Sequence, residues 1–210
     1  MKYPDIDKIY RTMPLEKIPW NCEALPEPIT RLLEEEKVSP CRTIDLGCGA
    51  GNYTICLAAM GFDIIGVDSS KTAIALARNQ AMQRGALCRF IVADLLGDMH
   101  EVKGTFEFAF DWELLHHIYP EDRETCIKNV HRLLRPGAKY FSACFAESDP
   151  QFGGTGKYRE TGIGTTLYFS SEDEIRDLVA PYFSIRELAT REVAGKFGPH
   201  NMICLLAERK

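Results

Sequence analysis

A doubly wound α/β sheet, parallel over most of its strands, is predicted by three observations. Short apolar runs alternate with helical stretches of about 10–15 residues, which is the pattern of βαβ units. Each of the first four apolar runs carries an aspartate at or near its end: Asp45, Asp68, Asp94 and Asp111. The last two runs have no helix between them, so they must pair antiparallel. The chain has 210 residues. One folded unit is therefore expected, burying roughly 70% of the surface its unfolded chain exposes.

The elements follow in order. Residues 1–21 read as irregular, because Pro4, Pro14 and Pro19 interrupt any helix. After Pro26 and Pro28, the spacing of Ile29, Leu32, Leu33 and Glu36 predicts a short amphipathic helix. Thr43–Leu46 is a strand running into glycines, and Tyr53–Met60 a helix. Ile64–Asp68 is the second strand, followed by a helix over 71–83. Arg89–Asp94 and Phe106–Asp111 are the third and fourth strands. Glu121–Leu134 is a helix, stopped by Arg135-Pro136-Gly137, and Lys139–Phe145 is the fifth strand. Ser171-Glu172-Asp173-Glu174 is a capping box opening the last helix. Phe183–Thr190 and Met202–Ala207 form the closing hairpin around Gly195-Lys196-Phe197-Gly198-Pro199.

Composition removes several classes. With 25 basic and 30 acidic residues, the net charge of −5 offers no broad basic face for nucleic acid. The charge-free stretch Leu46–Phe62 holds four glycines, Asn52 and Thr54, which is wrong for a membrane helix. The N-terminus has no apolar leader, so a cytoplasmic location is expected. The eight cysteines form no Cys-x-x-Cys pair, so no metal site is expected and most thiols read as reduced and buried. A metalloid-binding cluster among them stays open.

In an open α/β sheet the ligand crevice lies beyond the carboxyl ends of the strands. Gly47, Gly49 and Gly51 let the backbone turn sharply there, approach a ligand and start a helix at Asn52. The spacing G-x-G-x-G is not the dinucleotide fingerprint, and Asp45 just before it would repel a pyrophosphate while welcoming an ammonium or sulfonium. Asp68, 17 residues after Gly51, suits a carboxylate accepting ribose hydroxyls. The string Gly153–Lys157 is no phosphate loop, since Tyr158 stands where Ser or Thr is required.

Thr43-Ile44-Asp45-Leu46-Gly47-Cys48-Gly49-Ala50-Gly51-Asn52 resembles the first motif of class I S-adenosylmethionine-dependent methyltransferases. Ile65–Ser70, Phe90–Leu95, Phe108–Ile118 and Leu133–Ala138 are similar to four further motifs, in order and at normal spacing. The resemblance implies a Rossmann-like sheet of seven strands in the order 3-2-1-4-5-7-6, with strand 7 antiparallel. It also implies one methyltransferase domain over 1–210. Its parts would be an N-terminal lid and helix (1–39), a cofactor-binding core (40–146), a lid insertion (147–166) and a C-terminal helix and hairpin (167–210).

The implied cofactor is S-adenosyl-L-methionine, leaving as S-adenosyl-L-homocysteine. Asp45, the Gly47–Gly51 loop and Asn52 would hold its methionine portion, Asp68 its ribose, and Asp94, Leu95 and Ser69 its adenine. Asp111 would lie near the sulfonium. Pro19-Trp20-Asn21 resembles the lid of the thiol and thiopurine methyltransferases, where a tryptophan packs near the cofactor.

The expected partner is a small-molecule acceptor, a thiol, hydroxyl or similar, with no nucleic acid or membrane, in a monomer or homodimer. The alternatives are an RNA or protein methyltransferase, or a non-catalytic cofactor-binding subunit. His116 and His117 are the candidate catalytic residues, with His200 and Tyr158 as further candidates. Tyr10–Asn21 and a structureless, mobile Glu147–Thr166 segment are expected to cover the acceptor.

Overall fold

The computed structural model describes residues 3–210. Its strands are β1 (Arg42–Leu46), β2 (Asp63–Asp68), β3 (Arg89–Val92), β4 (Phe106–Trp112), β5 (Leu134–Phe145), β6 (Tyr158–Glu160), β7 (Thr166–Tyr168), β8 (Phe183–Gly195) and β9 (Gly198–Arg209). The helices are α1 (Ile6–Thr12), α2 (Glu27–Glu34), α3 (Asn52–Ala59), α4 (Lys71–Arg84), α5 (Pro120–Leu133) and α6 (Glu172–Val179). Seven strands form one sheet in the order β3-β2-β1-β4-β5-β9-β8, and β6-β7 form a separate antiparallel pair. The first five strands of the large sheet run parallel, while β9 lies antiparallel to both β5 and β8. This is the predicted seven-strand order with its reversed last strand. Among these residues no helix is long and apolar enough to cross a membrane.

Strand alternation assigns each face. Ile44 and Leu46 of β1, Ile65 and Val67 of β2 and Ala109 of β4 pack toward α5 and α6. Ile64, Phe108 and Phe110 point the other way, into a cluster with Ile29, Leu32 and Leu57 of α2 and α3. Both faces are dry, which is why the parallel strands read as nearly continuous apolar runs.

Three local expectations are corrected. The N-terminal segment is not irregular. Pro4 and Pro14 bracket α1 rather than interrupt it, and the Asp5 carboxylate caps it by accepting the Lys8 N–H. β5 begins at Leu134, before the Arg135-Pro136-Gly137 turn. Leu134 pairs with Phe106 and Lys139 with Phe108, so the turn is absorbed as a bulge inside the strand.

The Glu147–Thr166 segment is not structureless. It contains β6 and the start of the β6–β7 pair, built around the buried guanidinium of Arg159. That group donates to the carbonyls of Glu147, Asp149, Gln151 and Gly156 and lies 3.9 Å from the centroid of the Phe169 ring. Four carbonyls on one cation replace the regular ladder the segment lacks.

Gly66 tests how tightly β2 is packed. A Cβ there would meet Cys48 Sγ, Phe90 Cδ1 and Thr54 Oγ1, each at 2.8 Å. Overpacking of this kind costs about 1–3 kcal/mol. Gly66→Ala should therefore lower the melting temperature by roughly 2–4 °C per kcal/mol. Circular dichroism would check this, and an unchanged melting temperature would show that the face relaxes freely.

Candidate functional site

The strand order reverses at β1, whose partners are β2 on one side and β4 on the other. Loops leaving the carboxyl ends of β1 and β4 diverge there and open a crevice, the position at which doubly wound sheets bind ligands. The crevice is a cavity of about 390 Å³, walled by the β1–α3 loop, the ends of β2, β3 and β4, and the N-terminal arm over 3–22.

The floor is the glycine loop. Gly47 and Cys48 donate their N–H groups to the Val67 carbonyl at 2.8 and 2.9 Å, which ties the loop to β2. Gly49 has φ +53°, and a Cβ there would stand 2.4 Å from the Tyr10 hydroxyl, so only glycine lets the arm close over the loop. Tyr10 in turn accepts the Trp20 indole N–H at 2.7 Å. Asp7 docks α1 onto the start of α4, accepting Ser70 Oγ at 2.7 Å and the Thr72 N–H at 2.9 Å. Those bonds hold the Asp7 carboxyl below the usual carboxylate range. Lys196, at the tip of the β8–β9 hairpin, grips the other end of the arm through the carbonyls of Ile18 and Asn21, each at 3.0 Å.

The acidic groups of the lining are Asp5, Asp7, Asp45, Asp68, Asp94 and Glu113. Among the described residues no lysine or arginine lines the cavity. Arg11 meets Asp5 and Asp7 from the solvent side. Asp45 is buried and accepts the Thr54 hydroxyl at 2.6 Å, and burial pushes its carboxyl up to about 7. Asp68 accepts the Gly49 N–H at 2.9 Å and the Ser70 N–H at 2.8 Å. Burial outweighs these bonds and raises its pKa as well. Trp20, Gly47, Gly49, Gly51, Asn52, Ser69, Asp94 and Leu95 all line the same cavity. Asn52 donates to Asn21 Oδ1 at 2.9 Å, while its own side-chain oxygen is buried without a partner.

Four of the candidates face elsewhere: Asp111, His116, His200 and Tyr158. Asp111 is paired in register with Leu46, so its carboxyl lies on the face covered by α5, where it accepts the Tyr140 hydroxyl at 2.6 Å. β4 runs one residue further than expected, and the acid at the lip is Glu113 instead. The two histidines split. His116 is buried and stacks on Phe145 at 4.1 Å, while His117 lines the cavity with its ring 5.6 Å from Trp20. Burial holds His117 down to about 4, hence neutral near pH 7.

His200 is bonded to Asp149 at 3.2 Å and stacked on Phe145, and Tyr158 packs edge-on against Tyr119 and Tyr168. Neither lines the cavity, and nor does any residue of 147–166. Ile163 of that segment packs instead against the arm.

Sequence reasoning missed Cys22, Tyr53 and Glu113, all on the cavity wall. For Glu113 the signal was its place one residue beyond the end of β4. For the others there was none, since a loop cysteine and a helical tyrosine look like packing residues. All eight cysteines are free thiols, with Cys126, Cys144 and Cys204 buried. Among the described residues no group of three or more Cys, His, Asp or Glu is placed to hold a metal.

The buried carboxyls leave a pH signature. Unfolded, Asp45 ionises near 3.8; folded, it keeps its proton to about 7. Between those values the native state binds more protons than the unfolded one, so this group's contribution to stability falls as pH rises from about 4 to about 7. Asp45→Asn removes that loss. The variant's melting temperature, relative to wild type without ligand, should rise across pH 4.5–7.5. A constant offset would show that Asp45 is already ionised in the fold.

Residues 44–137 match the family model described as a methyltransferase domain. The chain is 29% identical over 174 residues to the 2-heptyl-1-hydroxyquinolin-4(1H)-one methyltransferase of Mycobacteroides abscessus, covering 81% of this chain and 70% of that one. It spans only 42% of the ubiquinone biosynthesis O-methyltransferase of Pseudomonas aeruginosa, at 29% identity and over 48% of its own length. Among solved structures, a chain from work on converting a disulfide bond into a thioacetal group during echinomycin biosynthesis superposes with TM-score 0.81. It is 24% identical, covering 98% of this chain and 91% of that one. The 1,6-didemethyltoxoflavin-N1-methyltransferase of Burkholderia thailandensis, solved with 1,6-didemethyltoxoflavin and S-adenosylhomocysteine, gives 0.68 at 20% identity, over 99% of this chain and 84% of that one. Residues 44–137 thus match a methyltransferase domain, and the fold around them is shared with solved S-adenosylmethionine-dependent methyltransferases.

Proposed function

We propose that the chain methylates a small, planar acceptor that carries no negative charge, using S-adenosylmethionine as donor. The observation that carries this reading is the single sign of charge in the cavity: six carboxylates and, among the described residues, no lysine or arginine. Such a lining suits a cation, and the cofactor is one, through both its ammonium and its sulfonium. Arg11 compensates only Asp5 and Asp7, so an acceptor bearing phosphate or carboxylate would meet repulsion from the other acids, and a nucleic-acid backbone would find no basic counterpart in the lining.

The residues present fit the cofactor. The glycine loop supplies a floor without side chains, and the buried, unpartnered Asn52 oxygen beside it offers an acceptor for an ammonium N–H. Asp45 lies under the same loop and would add charge for the methionine portion. Asp68 spends one lone pair of each oxygen on a backbone N–H, which leaves acceptor capacity for two ribose hydroxyls. Ser69, Asp94 and Leu95 would border the adenine. When bound, the cofactor supplies an electrophilic methyl group. This chain's residues hold donor and acceptor in line, and alignment of that kind accounts for much of the rate in a displacement.

Trp20, Tyr53 and Trp112 present aromatic surface at the end of the cavity nearest Glu113 and His117. A flat ring with a nucleophilic hydroxyl or thiol would stack there. The Mycobacteroides relative is named for such a molecule, a hydroxyquinolinone, which supports the same class for this chain.

Calorimetric titration of S-adenosylmethionine into wild type and Asp68→Ala tests the cofactor assignment. Loss of a charge-assisted bond pair should weaken binding by roughly 10- to 100-fold. Methyl transfer to a neutral hydroxyquinoline, compared with its carboxylated analogue, tests the acceptor. The neutral compound should be favoured by at least roughly tenfold in kcat/KM, the weight of one unfavourable charge contact. Equal turnover of the two would overturn the acceptor reading.

A further inference from the structure

Glu113 is the first residue past β4, and it leaves the strand in the left-handed region at φ +60°, its N–H fixed on the Ala143 carbonyl at 3.0 Å. Non-glycine residues in that conformation are strained, and strain of this kind gathers at functional sites. The strain here turns the carboxyl into the cavity. Among the described residues no cation pairs with it, and burial pushes it up to about 7. Its neighbour Leu114 packs on Gly47, where a Cβ would come within 2.8 Å of Leu114 Cδ1, so Glu113 stands at the edge of the glycine loop.

The groups facing it are neutral or distant. Cys22 and Tyr53 sense its charge, and burial raises both the thiol and the phenol, which stay protonated. His117 shares the lip and is held neutral by burial. The Trp112 indole N–H partly offsets the burial of Glu113, Lys196 acts from beyond Cys22, and Asp45 lies under the loop.

We propose that Glu113 receives the proton the acceptor gives up on methylation, and that the positive charge of the methyl donor is what holds Glu113 ionised until then. The inference rests on the function proposed above. The acceptor's lone pair forms the bond to the methyl carbon while the carbon–sulfur bond breaks and leaves its electron pair on sulfur. The acceptor's O–H, S–H or N–H proton passes to Glu113.

One cation and one carboxylate thus become a neutral sulfide and a neutral carboxylic acid. In a cavity that, among the described residues, no lysine or arginine lines, the step removes one pair of opposite charges and creates no new charge. His117 would not serve equally. Burial lowers its proton affinity, and on taking the proton it would place a new cation in the site. The acceptor class narrows accordingly to neutral molecules with an ionisable O–H, S–H or N–H.

The test compares the affinities of S-adenosylmethionine and S-adenosylhomocysteine by calorimetry between pH 5.5 and 8.5. The two share the ammonium, ribose and adenine and differ in the charge at sulfur. Asp45, which also titrates near 7, acts on the shared ammonium alike in both, and whatever it adds through the sulfonium is still present in a Glu113 variant. In wild type, the preference for S-adenosylmethionine should grow by on the order of tenfold as pH rises through about 7, one pKa unit of coupling between sulfonium and carboxylate.

Glu113→Gln should remove most of that pH dependence, leaving only the part that Asp45 contributes. Glu113→Gly, which relieves the left-handed strain, should do the same with a melting temperature at or above wild type, so that misfolding is not the cause. An unchanged pH slope in Glu113→Gln overturns the proposal while leaving the methyl-transfer reading intact. Failure of folded wild type to bind either ligand overturns that reading, and the proposal falls with it.

Discussion

Carboxyl groups gathered at one edge of an apolar sheet, with no basic side chain among them, are the constraint on which the rest of this molecule depends. Asp45, Asp68 and Glu113 are all pushed up by burial, so each makes the empty protein less stable near neutral pH than an apolar residue would. A cation in the cavity removes that penalty, and binding to the folded state alone stabilises it further. The fold surrounding the crevice is built to tolerate the strain. Two apolar layers cover the sheet, and Asp111, away from the lip, has one oxygen bonded by Tyr140 and the other buried without a partner.

The N-terminal arm is the second part of the same design. Its apolar contacts form a cluster of their own: Ile9, Tyr10 and Ile18 are buried against Ala50 and Ala73, with Ile6, Met13, Leu15 and Trp20 packed around them. Polar ties do much of the holding, from Asp7 to the start of α4, from Lys196 to the arm's own carbonyls, and from Tyr3 to Asp122 at 2.7 Å. The arm thus closes over the glycine loop, where Tyr10 meets Gly49, on a cluster separate from the two that cover the sheet. The 147–166 segment differs, because Arg159 pins its backbone and its only approach to this region is Ile163 against the arm.

Much of this was legible in the chain itself. The alternation of strands and helices, the reversed hairpin, the glycine loop, and Asp45, Asp68 and Asp94 follow from local pattern, since strand period, turn chemistry and capping are decided within a few residues. The capping box at Ser171 is present as read. The prolines of the arm were misread because proline bars only helix interiors, and here they lie just outside the helix ends.

What only the tertiary structure decided is which face each acid and histidine takes. In a strand, moving by one residue exchanges the two sides of the sheet. β4 extends to Trp112, so Asp111 turns toward α5 and Glu113 takes the lip. In the same way, a single turn after it separates a stacked His116 from a cavity-lining His117. The meeting of Cys22, Tyr53 and Glu113 joins three segments far apart in the chain. Nothing local encodes it, because it depends on how the arm, α3 and the end of β4 pack together. The sequence by itself determined the sheet, its order of elements and the carboxylates along its edge; the packing of those elements decided which of the carboxylates faces the ligand.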